Sequence, residues 1–496
     1  MSNVEQIYKN VLKYIVPTIN EISTINHVVD KLKILLKKRA QEQGIRYTTM
    51  EPQGSTGIKQ TQLRNDFDID FFIGLNFNEF KPKYEGLSKN KRKKESKKDF
   101  LFLCNEWIIK ALSTEEFKNP GLLYAEHPYV KVDYKSEKID LKIDIVLYFD
   151  LTLEYIKKYG PVTAVDRSPW HGRFVRDNLT DTQKNDVRLL KQFFKACHCY
   201  GDKSAVGKAG FIGYSAELLI YHYENLENLF NNFKNLLRNP LDYYSRTIKE
   251  IRKKPHMCDD ALIIIDPIDQ NRNVASAISE RSYRYCNNQI QEFLKNPKED
   301  FFKIGIIPEY IESKNGDKLR NNFFIIELKN LNQEIHYTIN RDKLYSLGDS
   351  IKSNGENEPS HARKFEKIEF ELYFEDNIEE YNLAIYCSNP KISKSYLRKG
   401  PPIKEKSHMD KFIRKNPNYI EKKGYLWIET EREFTEFIDF LKNFTILKLP
   451  DNFEVRNISK SVNATTISGK KAIYVLRNMV LPFYYERARF SHESQN

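Results

Sequence analysis

Asp68 and Asp70, separated by one residue, are the first side chains in this sequence whose type and spacing suggest chemistry. They lie in DFDIDFFIGL, residues 66–75, where apolar and polar residues alternate at period two as in a strand. Positions two apart on a strand point to one side. Asp68 and Asp70 therefore project together, while Phe67, Ile69 and Phe71 face a core. Asp66 shares the same face and is a rival ligand, but the apolar residues after Asp70 place the deepest part of the strand there. Adjacent carboxylates repel and stay ionised together only with a cation between them. Oxygen-only ligands suit Mg²⁺, which takes a few carboxylates plus substrate phosphates. A second run, KIDLKIDIVL at 138–147, puts Asp140 and Asp144 on one face of another strand, either able to complete such a site.

Gly54–Ser55 stands thirteen residues before Asp68, between an extended stretch (47–53) and an expected short helix. Serine is a good helix N-cap, and free amides at a helix start bind anions. Glycine lets backbone approach a phosphate closely. Together these parts suggest a nucleoside triphosphate held by backbone amides on one side and metal on the other. Either motif alone matches by chance and reads equally well as a solvated strand and an ordinary turn. Carboxylates on aligned faces of two strands are what a merely structural sheet does not require.

The elements that must position these residues follow from periodicity. Residues 1–43 read as helices broken at Pro17, the second with an apolar stripe of Val28, Leu32, Leu35 and Leu36. The basic run KRKKESKK (91–98) reads as a solvated loop, 99–113 as a buried helix, and 127–134 and 138–149 as strands. This is a mixed sheet with helices, an α/β or α+β domain of about 150 residues. From 180 to 240 the pattern is helical, with stripes Val187, Leu190, Phe193, Phe194 and Leu218, Leu219, Tyr223. Residues 261–265 read as a short buried strand, 273–296 as a helix, and 323–328 and 368–373 as strands. Residues 351–364 are polar and aperiodic and read as a mobile linker.

The 496 residues carry a net charge of +12, with 40% hydrophobic and 30% charged residues, which excludes a disordered, collagenous or coiled-coil chain. No apolar run is long enough for a membrane span. The N-terminal residues lack the apolar stretch of a signal peptide, so no export is expected. Six scattered cysteines read as reduced thiols in a cytoplasm. The Cys197–His198–Cys199 cluster has no second ligand pair and reads as packing. The basic surplus, with 30 Tyr and 31 Phe, favours a polyanionic partner.

GSTGIKQTQL followed by DFDID is similar to the nucleotidyltransferase signature, GS then DxD or ExD. VTAVDRSPWH (162–171), NDVRLLKQFFKACHCYG (185–201), AGFIGYSAELLI (209–220) and DPIDQNRNVA (266–275) resemble blocks of the archaeal-type (class I) CCA-adding enzymes. So do KGPP (399–402) and DKFIRKN (410–416), in the family's order. The resemblance implies an α+β multidomain fold: a nucleotidyltransferase (polymerase beta-like) mixed-sheet catalytic domain, a helical central domain and α/β C-terminal RNA-binding domains. The corresponding divisions are 1–150 for catalysis, 151–296 for the central domain completing the nucleotide pocket, 297–365 for a body with tRNA contacts, and 366–496 for a tail that returns to the body.

The same resemblance implies template-independent addition and repair of the tRNA 3′-terminal CCA from CTP and ATP, by two-metal nucleotidyl transfer with Mg²⁺. Carried over by motif, Asp68, Asp70 and Asp144 are the metal-binding and catalytic carboxylates. Ser55, Lys59, Ser168, His171, Lys191 and Tyr200 contact the nucleotide, and Arg272 is associated with reading the base. The residues themselves leave alternatives: a solvated Lys191, a structural His171 at a turn, a capping Tyr200 before Gly201, and an Arg272 bridged to Asp266 or Asp269 just ahead of a helix beginning near Asn273. The family's usual proline after the third carboxylate's DIV is Leu147 here, the GS loop is one residue longer, and the basic segment around 81–98 is extended. Rival readings are a poly(A) polymerase-like or oligoadenylate synthase-like enzyme and a non-catalytic RNA-binding protein. tRNA would be held by its shape and phosphates through Lys394, Arg398, Lys399, Lys404, Lys406, Lys411 and Arg414. The oligomeric state stays open, a homodimer among the choices, and the expected location is the cytoplasm.

Overall fold

The computed structural model describes residues 2–65, 68–124, 127–136, 140–311 and 319–483. The chain forms two compact units: residues 1–197, 211–277 and 289–304 make the first, and 198–210, 278–288 and 305–496 the second.

The first unit opens with α1 (Asn3–Ile15) and α2 (Ile19–Gln43). Each starts with a reciprocal capping box, Ser2 with Glu5 and Thr18 with Glu21, which satisfies amides that have no partner within the helix. Pro17 separates the helices as expected. Five strands follow: β1 (Thr49–Pro52), β2 (Ile69–Leu75), β3 (Phe117–Tyr124), β4 (Pro128–Lys135) and β5 (Asp140–Phe149). They form a mixed sheet in the order β1-β2-β5-β4-β3, with only β2 and β5 parallel. Ile69, Phe71, Ile73, Ile143, Ile145 and Leu147 are buried on one face with Val28, Leu32 and Leu36 of α2. Alternate residues, including Asp70 and Asp144, therefore point from the other face. Asp70 and Asp144 are register partners.

Two local readings are corrected. Residues 91–98 are not a loop. They belong to α4 (Lys89–Leu103), which follows α3 (Phe77–Tyr84) and continues through a π-helical run at Cys104–Ile109. No glycine or proline interrupts 89–113, lysine and arginine are good helix formers, and the buried Phe100, Cys104, Trp107 and Ile108 anchor the far end. Strand β3 was not expected, because FKNPGLLY carries Pro120 and Gly121. It is an edge strand with a register shift between Lys118 and Gly121, where both residues are tolerated. Asp66, Phe67 and Lys138 lie outside the described residues.

Beyond the sheet come α5 (Leu153–Tyr159), α6 (Ser168–Asn178), α7 (Asp181–Ala196), α8 (Gly213–Tyr223), α9 (Leu226–Asn232) and α10 (Ile248–Arg252). Val187, Leu190, Phe193, Phe194, Leu218 and Leu219 are buried as the helical stripes require. Residues 262–265 are buried but pair only through isolated bridges, Leu241 with Ile264 and Ile265 with Asn273. The helix expected from 273 starts later, as α11 (Glu280–Lys295), leaving 266–279 as a turn-rich loop.

The second unit holds β6 (Phe323–Asn330), α12 (Tyr337–Glu356), β7 (Ile368–Phe374), β8 (Glu380–Cys387), β9 (Ser395–Pro402), α13 (Lys406–Lys415), β10 (Ile420–Lys422), β11 (Tyr425–Glu431), α14 (Phe437–Lys448), β12 (Phe453–Lys460) and α15 (Ile467–Tyr474). Its sheets run β12-β6-β8-β7 and β10-β11-β9. The linker expected at 351–364 is another correction. Residues 351–356 are the end of α12, with Ile351 in the core. The remainder is closed by the Asn357–Arg363 bridge, and Glu358 is paired with Arg432 at 2.9 Å. Polar, aperiodic sequence is held here by backbone and ion pairing.

Candidate active site

A cavity of about 310 Å³ in the first unit is lined by Gln53, Gly54, Lys59, Asp70, Phe72, Tyr129, Asp144, Val146, Ser168, His171, Tyr214 and Arg272. Asp70 enters from β2 and Asp144 from β5. Burial, Asp144 and the nearby Asp68 push the Asp70 carboxyl up to about 6, with Lys59 opposing. Burial also raises Asp144, Lys131 from the facing β4 position opposes, and Asp68 adds to the rise. Asp68 is exposed at the edge of β2. Among the described residues, no group of three His, Cys, Asp or Glu side chains is already closed around one point.

The GS segment is a turn over 54–59, not the start of a helix, which corrects that expectation. Gly57 N–H donates to the Gln53 carbonyl at 3.1 Å, and Ile58 N–H to the Pro52 carbonyl at 3.2 Å. Two bonds tie this turn to the carboxylates' strand: Gln53 N–H to the Asp70 carbonyl at 2.7 Å and the Thr56 hydroxyl to the Asp68 carbonyl at 2.8 Å. Gly54 has φ +67°, and a Cβ there would fall 2.2 Å from Asp70 Oδ2, so only glycine leaves the carboxylate in place. Ser55 is half-buried in this turn and is not among the lining residues.

Lys59 reaches the cavity held by Glu217 of α8, Nζ to Oε2 at 2.7 Å, with its ammonium 4.7 Å from the Tyr214 ring centroid. Lys191 on α7 is buried behind it and does not line the cavity. Its Nζ donates to the Thr61 carbonyl at 3.0 Å and hydroxyl at 2.9 Å, and lies 3.5 Å from Glu217 Oε1. Burial pulls the Lys191 ammonium down to about 8, with Glu217 opposing. Burial would raise Glu217, but Lys59 and Lys191 hold it below the usual carboxylate range.

His171 sits in the first turn of α6, not at a loop turn as its Pro169–Trp170 context suggested, and Ser168 begins that helix. Its Nε2 is 2.8 Å from Asp266 Oδ2, and Arg272 Nη1 is 2.9 Å from the same oxygen. The Asp266 bridge that is one of the alternatives for Arg272 is thus present. Burial lowers the His171 imidazole despite Asp266. Tyr200 falls in the second unit and is not among the lining residues.

Sequence reasoning missed Gln53, Phe72, Tyr129, Val146, Tyr214, Glu217 and Asp266 as site residues. Phe72 and Val146 were within reach of it, lying two positions from Asp70 and Asp144 on the same strand faces. Tyr214 and Asp266 stand inside AGFIGYSAELLI and DPIDQNRNVA but carry no periodic signal.

The donor set fits a divalent cation. Asp144 Oδ1 is buried and has no hydrogen-bond partner among the described residues, Asp70 is crowded by like charge, and the Gly54 cradle keeps the Asp70 oxygen clear. A mixed sheet presenting two register-paired carboxylates beside a glycine-containing turn and cationic side chains defines a nucleotidyltransferase. Residues 185–303 match the tRNA nucleotidyltransferase second-domain family, and 360–459 match the CCA-adding enzyme C-terminal domain. The chain is 29% identical to the CCA-adding enzyme of Methanocaldococcus jannaschii over 479 residues, covering 92% of each chain. It is 28% identical to that of Saccharolobus islandicus over 452 residues, 90% of this chain and 94% of that one. Among solved structures, the Cid1 poly(U) polymerase with Mg and 3′-dATP bound has a TM-score of 0.44 at 13% identity, covering 61% of this chain and 98% of that one. Over nine-tenths of its length the chain is thus similar to CCA-adding enzymes of archaea.

Proposed function

We propose that this protein adds and repairs the 3′-terminal CCA of tRNA, using CTP and ATP. One observation carries the site assignment: Asp70 and Asp144 stand side by side in register and line one cavity that Lys59, His171 and Arg272 also line. In the reaction the RNA 3′-hydroxyl forms a bond to the α-phosphorus, the α–β phosphoanhydride bond breaks, pyrophosphate leaves, and the hydroxyl proton is released. Asp68, Asp70 and Asp144 would hold divalent cations, in our reading Mg²⁺, which would supply charge neutralisation at the phosphates and acidify the hydroxyl. Lys59 adds a fixed positive charge, and Ser168 and His171 offer hydrogen bonds to phosphate or ribose, so that most of the work is positioning and electrostatics. Burial lowers the His171 imidazole although Asp266 opposes, which favours hydrogen bonding over charge there. Arg272 is assigned to the base. Lys191 acts from behind, completing the charge of the Glu217 knot that aims Lys59.

Ser55 and Tyr200 remain in the proposed nucleotide set on the resemblance alone. The same holds for the division into 1–150, 151–296, 297–365 and 366–496, for a cytoplasmic location, and for homodimer assembly, which light scattering reads. No described helix is long and apolar enough to cross a membrane.

The test is incubation with tRNA lacking its last three nucleotides, each NTP offered singly and together, and sequencing of the ends. CTP alone is expected to give CC, CTP with ATP to give CCA, and UTP or GTP to give little. Runs of A or U would instead indicate a poly(A)- or poly(U)-type enzyme, and no extension at all a non-catalytic binder.

A further inference from the structure

One buried carboxylate organises more of the cavity wall than any residue given a role in catalysis. Asp266 is 0% exposed. Its Oδ2 meets both His171 Nε2 at 2.8 Å and Arg272 Nη1 at 2.9 Å. Its Oδ1 accepts from the Tyr214 hydroxyl and from Ile268 N–H, each at 3.0 Å. The Tyr214 ring stacks on His171 with centroids 4.4 Å apart, and the Arg272 guanidinium carbon lies 5.9 Å from its centroid. The loop is closed on itself by Asp266 N–H to the Arg272 carbonyl at 3.0 Å and Arg272 N–H to the Asp269 carbonyl at 2.9 Å. Asp269 is in turn gripped by Arg167, just before α6, at 2.8 Å. Burial would raise the Asp266 carboxyl, but His171 and Arg272 hold it well below the usual range, so it stays anionic.

We propose that Asp266 is the positioning residue for nucleobase selection, holding Arg272 in one orientation and keeping it for the base. The inference rests on the nucleotidyl-transfer reading and assigns a residue that reading does not use. Two physical reasons support it. A guanidinium has five N–H donors in a rigid plane, so fixing one on Asp266 directs the rest. Directed donors reject a base that presents its own donor at that edge, whereas a mobile arginine adapts to either. The second reason is charge. An unpaired guanidinium in this cavity would be drawn to the triphosphate beside Lys59. Paired with Asp266 it is neutralised and stays available to the base.

The experiment measures kcat/KM for each NTP on trimmed tRNA with wild type, Asp266→Asn, Arg272→Ala and the double variant. Asp266→Asn is expected to reduce the preference for CTP over UTP by about tenfold, the scale of one charge-assisted hydrogen bond. The double variant is expected to be no less selective than Arg272→Ala, because Asp266 acts through Arg272. Equal loss for all four nucleotides, or effects that simply add, overturns the proposal and leaves Asp266 a structural residue. If Asp266→Asn does not fold, Tyr214→Phe removes one of the two hydrogen bonds to Oδ1 while keeping the buried charge paired. A several-fold relaxation that vanishes in the Arg272→Ala background supports the proposal, and unchanged selectivity overturns it. A wild type that extends RNA without choosing among bases sinks the functional reading itself, which separates the two failures.

Discussion

Asp70 and Asp144 share one register position across parallel strands, and without a counterion that arrangement works against folding. Asp70 is pushed up to about 6 by burial, Asp144 and Asp68. The folded state therefore holds its proton to higher pH than the unfolded chain. Its contribution is best below the unfolded value near 3.8, declines as pH rises to 6, and at neutral pH costs on the order of 2–3 kcal/mol. Asp70→Asn should accordingly raise the thermal midpoint by a few degrees while reducing CMP incorporation by about a thousandfold or more. Mg²⁺ should raise the midpoint of wild type and leave that of Asp70→Asn nearly unchanged. A variant that keeps incorporating nucleotides refutes the ligand assignment. The i, i+2 spacing made these aspartates legible from sequence. Glu217 was not, because its partners Lys59 and Thr61 lie more than 150 residues away. Lys191 was legible as a helix residue but not as a buried one: nothing near it in sequence announces the carboxylate that lets an ammonium be buried.

At the scale of elements, strands and capped helices were readable because their signals are local. The GS turn reads as a helix start in sequence because serine before a short polar run satisfies the capping pattern, whereas the backbone is decided by bonds to Asp68 and Asp70. Gly54→Ala tests how strictly the turn and strand fit. A Cβ at φ +67° is strained by roughly 1–2 kcal/mol and must displace the Asp70 carboxylate. We expect activity to fall at least about a hundredfold, with a thermal midpoint only a few degrees lower; unaltered activity would show that Asp70 has room to move. His127 tests the packing of β5 from its other face. Its Nε2–H donates to the Leu147 carbonyl at 2.6 Å, its ring lies 4.7 Å from that of Phe100, and burial, aided by Lys97, lowers it to about 4. The unfolded chain takes up this proton near 6.5, so stability is lost as pH falls from 6.5 towards 4. His127→Leu removes that liability but orphans a carbonyl, costing about 1–2 kcal/mol at pH 7. By pH 5 the gap to wild type should shrink by about 2 kcal/mol in urea unfolding. A pH-independent gap would mean that His127 is charged in the fold or its charge is fully compensated.

Across the whole molecule, segment membership was the least legible property. Residues 198–210 and 278–288 belong to the second unit although they interrupt the first in sequence, and no composition shift marks either crossing. Charge was legible: the net +12 favours a polyanionic partner, and part of the basic surplus lies on β9, on α13 and in the turn between them. There Lys399, Lys404, Lys406, Lys411 and Arg414 are exposed, and Arg398, Lys411, Phe412 and Arg414 help to line a groove of about 480 Å³. A structural surface gains little from like charges this dense, whereas a phosphate backbone releases counterions as each is neutralised. We expect tRNA affinity to fall linearly in log–log form with salt. Replacing Lys404, Lys411 and Arg414 together by glutamine should weaken binding and make that slope shallower by roughly two to three units, at about 0.7–0.9 for each phosphate no longer neutralised. Incorporation onto a minimal acceptor-stem RNA should change far less, because the carboxylate cavity is built wholly within the first unit. Affinity that is flat between low and moderate salt would remove this surface from tRNA recognition, and an equal loss on the minimal RNA would tie these residues to catalysis instead.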